Sequence, residues 1–299
     1  MKKLHAWLRA FRLRTLPLAF SSLLMGGFLA ASRGYFDASI LVWSLVTTLL
    51  LQVLSNLAND YGDYTSGVDG DHRQGPARTV QAGLIPASQM KRALVVFSIL
   101  SLCSGMVLLW VAFRDQWLYA LLFLVVGLGA IYAAIRYTVG KKPYGYAGLG
   151  DVAVLLFFGL TGVGGSYFLY AKSLDGPVWL LAVSCGLFAV GVLNVNNIRD
   201  IASDEASGKR SLPVRMGRSR AVAYHAALLT TGFLLAVIFA LGRFGSVYGW
   251  AFVLVLPLLI RNFRAVRSKR GMELDPYLKQ LALTTLLFVL LMGAGLLWA

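Results

Sequence analysis

The sequence predicts an all-α polytopic membrane protein, a bundle of nine transmembrane helices that takes up residues 1–299 as one domain. Three observations carry this reading. Of the 299 residues, 58% are hydrophobic and only 14% are charged, whereas a soluble domain carries about 25% charged residues. Apolar runs of roughly 17–25 residues, the length needed to cross hydrocarbon, recur along the whole chain. Lys and Arg are concentrated in alternate connections between those runs.

The runs fall at 15–32, 40–58, 93–113, 117–136, 149–171, 177–198, 221–242, 245–261 and 279–298. In lipid each must satisfy its own backbone hydrogen bonds, and runs this long and unbroken select helices over barrel strands. The first follows a basic start, as a signal peptide would. Its apolar part is long and eight more spans follow, so it reads as an uncleaved first helix. The second stops abruptly at "SNLANDYGDYTSGVDGDHRQGPAR" from Ser55. The third carries Cys103 and the sixth Cys185; both read as small apolar packing residues, with no disulfide or metal spacing. The fourth and fifth hold "GLGAIY" and "FFGLTGVGGSYF", small and aromatic residues that allow close helix approach or line a groove for an apolar tail. Their connection, "YTVGKKPYGYAGLGD" from Tyr137, brings two lysines, three tyrosines and Asp151, either as an interfacial turn or as one wall of a site. The sixth ends in "NVNNIRDIASDEASGKR" from Asn194, and the seventh to ninth contain no acidic residue. The longest connections are 59–92 and 199–220.

With the N-terminus inside, the inner segments hold 24 of the 28 Lys and Arg, and the outer loops only Arg33, Arg114, Lys172 and Arg243. That asymmetry is the positive-inside pattern; it predicts an odd number of spans, a cytoplasmic N-terminus and an outward C-terminus. Basic loops facing an anionic leaflet account for the net charge of +15 without nucleic acid as a partner.

In this topology the second and sixth spans both end at the cytoplasmic surface. There sit Asn56, Asn59, Asp60 and Asp63, then Asn196, Asn197, Asp200 and Asp204. A helix C-terminus carries partial negative charge, so carboxylates are unfavourable there. If the helices continue, Asn56, Asp60 and Asp63 share one face, and Asn196, Asp200 and Asp204 another. Solvated loop residues would explain one such cluster; two clusters on the same side of the membrane need a better reason. Oxygen ligands without His or Cys suit Mg²⁺, which keeps waters and is shared between carboxylates and substrate phosphates. Basic residues follow each cluster: Arg73 and Arg78, then Lys209, Arg210 and Arg215. Each alone is an ordinary inside charge, and together they suit phosphate oxygens.

These strings resemble the UbiA-type intramembrane aromatic prenyltransferases. That family carries an N-D-x-x-D motif after its second helix and D-x-x-x-D after its sixth. Here the motifs read Asn59-Asp60-Tyr-Gly-Asp63 and Asp200-Ile-Ala-Ser-Asp204. With "FRLRTLPLAF" from Phe11 and the tyrosine loop, the match spans nearly the whole chain in order and is most similar to the branch that prenylates 1,4-dihydroxy-2-naphthoate. One departure concerns the position four residues after Asp63, usually Asp and here Gly67; Asp69 lies two further on and is the candidate substitute. The resemblance implies two Mg²⁺ ions held by Asp60 and Asp63 and by Asp200 and Asp204, binding a polyprenyl diphosphate. It implies that Arg78, Lys209 and Arg210 stabilise the departing diphosphate; beyond the resemblance, Lys142 and Tyr144 are candidates to cap it. Arg12 or Arg14 would meet the acceptor carboxylate or the diphosphate. Asn56, Asn59 and Asn197 would orient metal waters or the acceptor. His72 reads as a loop residue rather than a base. The implied setting is a bacterial inner membrane. A transporter is the other functional class, but its carboxylates belong near the midplane. A prenyltransferase for 4-hydroxybenzoate or another ring acceptor shares the metal chemistry.

Overall fold

The computed structural model describes residues 2–67 and 78–298, and among these the chain is helical with no strand. Nine helices among the described residues are long and apolar enough to cross a membrane: Lys3–Ala31, Ala38–Thr65, Ala87–Phe113, Trp117–Arg136, Gly150–Ala171, Gly176–Arg199, Arg218–Arg243, Val247–Ser268 and Gly271–Trp298. They are called the first to ninth spans below.

The first span departs from the expected run. It opens with a short amphipathic helix, Lys2–Phe11, and only then turns into Leu16–Ala31. Arg12 sits between the two with φ 48°, in the left-handed region, which a non-glycine residue adopts only at some cost. Pro17 lies in the first turn of the main helix, where its missing N–H is not needed. The amphipathic helix buries Ala6 and Ala10 on a small core with Val53, Leu54 and Leu57 of the second span and Leu94 of the third. Phe11 meets Phe97 edge-on at 5.4 Å.

Asp37 explains where the second span begins. Its carboxylate accepts from the Ser39 and Ile40 amides at 2.7 and 3.3 Å, a side-chain cap on otherwise unpaired donors. The main core gathers the first and the fifth to ninth spans, with Ile40 of the second and Leu108, Ala112 and Phe113 of the third. The sixth is the most enclosed, and no residue of the fourth is buried. In the fifth span the residues Leu155–Gly165 wind as a π-helix. A Cβ at Gly159 would lie 2.8 Å from the Ala182 carbonyl, so glycine there lets this stretch press against the sixth span.

Several helices outrun their apolar runs because intrahelical hydrogen bonds do not end where lipid does. The second span continues to Thr65, and the 199–220 connection contains Ile201–Ala206 and Leu212–Met216. The connections are therefore shorter than 59–92 and 199–220. Cys185 is buried as expected, whereas Cys103 is exposed on the third span rather than packed.

Candidate active site

The continued second helix places Asn56, Asp60 and Asp63 on one stripe, with all three buried. The second cluster is built differently. The sixth span stops at Arg199, Asp200 bends the chain, and Asp204 follows on the short helix Ile201–Ala206. Its amide still donates to the Asp200 carbonyl at 2.8 Å, which preserves the one-turn spacing. Both clusters line one cavity of about 950 Å³. Its walls include Ser44 and Asp63 of the second span, which are about 28 Å apart along a helix. The cavity thus reaches from the motif end through most of a hydrocarbon layer about 30 Å thick.

Each motif carboxylate is buried and meets a cation of its own chain. Asp60 lies 3.5 Å from Arg12 and 4.0 Å from Arg78, and it accepts from the Thr79 amide at 3.1 Å and from the Thr79 hydroxyl. Asp63 pairs with Arg78 and accepts from the Tyr146 hydroxyl. Asp200 is gripped by Arg199 through two bonds of 2.8 and 2.7 Å. Arg199 also donates to Asn196 at 2.9 Å and to Asp275 of the ninth span at 2.5 Å. Asp204 takes Lys209 Nζ at 3.1 Å on one oxygen, and its buried Oδ2 has no hydrogen bond of normal geometry. Burial pushes the Asp204 carboxyl above the usual carboxylate range, with Lys209 opposing. Burial and the Asp63 carboxylate push the Tyr146 phenol up, and burial does the same for Tyr137 and Tyr144. All three remain protonated donors at neutral pH.

Arg12, Asn56, Asn59, Asp60, Asp63, Arg78, Tyr144, Asn197, Asp200, Asp204 and Lys209 all line the cavity. Lys142 and Arg210 are exposed and lie off its wall. The Arg210 amide, however, donates to the Tyr146 carbonyl at 3.0 Å and so ties the second acidic connection to the tyrosine loop. Asn56 commits its amide nitrogen to the Phe11 carbonyl at 2.9 Å and Thr15 at 3.1 Å, anchoring the bend that carries Arg12. Tyr144 donates to the Ala133 carbonyl at 2.9 Å. Arg14 is 3.6 Å from Asp275. Asp69, Arg73 and His72 lie outside the described residues.

Sequence reasoning passed over Arg199, Thr79, Asp275 and the specific role of Tyr146. Arg199 had a signal, since it is Asp200's neighbour in "NNIRD"; Asp275 had none, because it reaches the site from a span far along the chain.

Gly62 explains how the tyrosine loop reaches Asp63. A Cβ there would lie 2.5 Å from Thr138 Oγ1 and 2.6 Å from its carbonyl carbon, while the Thr138 hydroxyl donates to the Ala58 carbonyl at 2.9 Å. Gly62→Ala is expected to push the loop off the second span and draw Tyr146 away from Asp63. Turnover should fall by about 10²-fold, the cost of misplacing a site by an ångström. Kinetics beside thermal melting of the purified variant will show whether the loss exceeds any loss of fold.

The set of buried carboxylate and amide oxygen donors fits a hard divalent cation. Among the described residues, no three of His, Cys, Asp and Glu converge on one point. A cation held here would therefore complete its shell with substrate oxygens and water.

The chain is 44% identical to the 1,4-dihydroxy-2-naphthoate octaprenyltransferase of Escherichia coli (strain K12), with 97% of this chain and 96% of that protein covered. Its fold is shared with a UbiA homologue from Aeropyrum pernix K1 (TM-score 0.69, 17% identity, 95% of each chain covered). It is shared too with a UbiA homologue from Archaeoglobus fulgidus bound to DMAPP and Mg²⁺ (TM-score 0.62, 17% identity, 95% of this chain and 98% of that one). Residues 19–281 match the model of the UbiA prenyltransferase family, and the chain, an all-helical membrane protein, belongs to that family.

Proposed function

We propose that the protein transfers a polyprenyl chain from polyprenyl diphosphate to 1,4-dihydroxy-2-naphthoate, releasing diphosphate and CO₂ and giving demethylmenaquinone in its reduced form. The observation that carries this reading is the joining of two acidic clusters to one mouth of a long, mostly apolar cavity. A charged headgroup and a water-insoluble tail need that combination. The identity to the Escherichia coli naphthoate octaprenyltransferase supports the acceptor, and the archaeal structure with DMAPP and Mg²⁺ supports the ion. The setting is a bacterial inner membrane with the cup facing the cytoplasm.

Asp60 and Asp63 would hold one Mg²⁺, and Asp200 and Asp204 a second. Bound there, Mg²⁺ would neutralise diphosphate charge as the allylic C–O bond breaks. The chain's own residues do the rest. Arg78 and Lys209, which now pair with Asp63 and Asp204, turn to the departing diphosphate and stabilise its growing charge. Tyr146 and Thr79 keep Asp63 and Asp60 oriented through their hydroxyls. The cavity's apolar wall shields the allylic cation at C1 from water. The electron-rich ring carbon of the naphthoate that bears the carboxylate attacks C1. The new C–C bond forms as the C–CO₂ bond breaks and its electrons restore the ring. Arg12, at the mouth beside Asp60, meets the acceptor carboxylate.

The testing experiment is product formation by purified protein with Mg²⁺, a polyprenyl diphosphate and 1,4-dihydroxy-2-naphthoate. The expected product is a prenylated naphthoquinol that forms only with Mg²⁺. Prenylation of 4-hydroxybenzoate in its place would overturn the acceptor. Folded protein that binds the diphosphate and turns over no acceptor would overturn the reaction.

A further inference from the structure

A second groove lies at the cup's end of the bundle but outside it, between the eighth span and the start of the ninth. It encloses about 550 Å³, and its lining includes Pro257, Ile260, Arg261, Arg264, Lys269 and Tyr277. Its place follows from Asp275, two residues before Tyr277, which pairs with Arg199 and Arg14 in the cup.

The groove is amphipathic along its length. Pro257, Ile260, Arg261 and Arg264 stand at i, i+3, i+4 and i+7 and so share one helix face; all four are exposed. The apolar half of that face continues upward through exposed Leu256 and Leu254. The basic half begins at Arg261, and Pro257 to Arg264 spans about 10 Å. Neither Arg261 nor Arg264 has an ion pair among the described residues, and Lys269 has only Glu273 at 3.9 Å. Lys269 also lies 5.8 Å over the Tyr277 ring, which fixes the groove's floor. The end of a helix repels anions through its free carbonyls. Here Arg218 occupies those of Val266 and Lys269 at 2.9 and 2.5 Å. The repulsion is cancelled by a further cation.

We propose that this groove binds an anionic phospholipid, its phosphate between Arg261, Arg264 and Lys269 and one acyl chain along Ile260, Pro257 and Leu256. Charge complementarity selects the headgroup: three cations face one partly engaged carboxylate. The apolar continuation selects a lipid over a free anion, because a soluble phosphate would leave the exposed upper half uncovered. Basic pockets between transmembrane helices at a membrane surface favour such headgroups in general. The site is separate from the cup and does not depend on the reaction assigned to it.

The test uses full-length protein in a neutral detergent with dioleoyl phosphatidylglycerol or dioleoyl phosphatidylcholine, read as retained lipid by native mass spectrometry. Phosphatidylglycerol should be retained in preference to phosphatidylcholine. Arg261→Ala/Arg264→Ala should weaken its retention by about tenfold or more, near the electrostatic share of two basic residues. Arg261→Lys/Arg264→Lys should keep it, which separates loss of charge from loss of fold. Excess inorganic phosphate should not displace the lipid. Equal retention of the two lipids would overturn the proposal, as would retention indifferent to the alanine pair or displacement by free phosphate.

Discussion

Asp200→Asn and Asp60→Asn are each expected to lower kcat/KM for prenyl transfer by about 10²–10³-fold, the range seen when one preorganised electrostatic group is removed from a reacting centre. The two substitutions keep side-chain shape and remove one charge each. Asp200 sits at the bend where the sixth span ends, with both oxygens held by Arg199. Asp60 is flanked by Arg12 and Arg78. In either variant an arginine loses its counter-charge and the mouth becomes more positive. Diphosphate binding should therefore persist or tighten while turnover collapses. Raising Mg²⁺ should restore part of the rate. Titration of labelled prenyl diphosphate beside steady-state kinetics checks this. Wild-type turnover in both variants would remove the carboxylates from the mechanism.

Asp275→Asn is expected to cost about 10–100-fold in divalent-cation affinity, the range for residues that orient a metal's ligands. Asp275 touches none of the reacting atoms. It holds the other side of Arg199 at 2.5 Å and Arg14 at 3.6 Å. When Asp200 turns toward a cation, the largely buried Arg199 needs another anion, and Asp275 is the one it already contacts. Without it Arg199 stays on Asp200 and competes with the ion. Mn²⁺ titration by electron paramagnetic resonance reads the affinity directly. In kinetics the Mg²⁺ concentration for half-maximal rate should rise, with most of kcat recovered at saturation. A lowered kcat with unchanged Mg²⁺ dependence would leave Asp275 a purely structural role.

The sequence made the membrane class, the nine spans and both acidic ends legible, and for physical reasons. Apolar length is read directly in residues, and the penalty for carboxylates at helix C-termini makes them conspicuous without any structure. The stripe of Asn56, Asp60 and Asp63 followed from helical spacing alone, and the helix does run on to Thr65. What stayed hidden depends on packing between distant segments. The meeting of Asp275 with Arg199 requires the ninth span to dock beside the sixth. The bend at Arg12 depends on Asn56 holding the Phe11 carbonyl. The π-winding of Leu155–Gly165 has no simple residue signature, only glycines that permit close neighbours. Lys142 and Arg210 share their stretches with residues on the cavity wall, yet their side chains stand outside it. Charge type alone does not say which basic residue faces the cavity, because that depends on how the backbone turns.

The cation beside every buried motif carboxylate bears on how such a protein comes into being. A cup of bare carboxylates would resist insertion until an ion reached it, and maturation would then wait on ion supply. Here Arg12, Arg78, Arg199 and Lys209 act as resident counter-charges. With those pairs in place, insertion and packing are expected to go to completion before any divalent ion arrives. Scarcity of the ion would idle finished molecules rather than spoil nascent ones, and renewed supply would wake them without new synthesis.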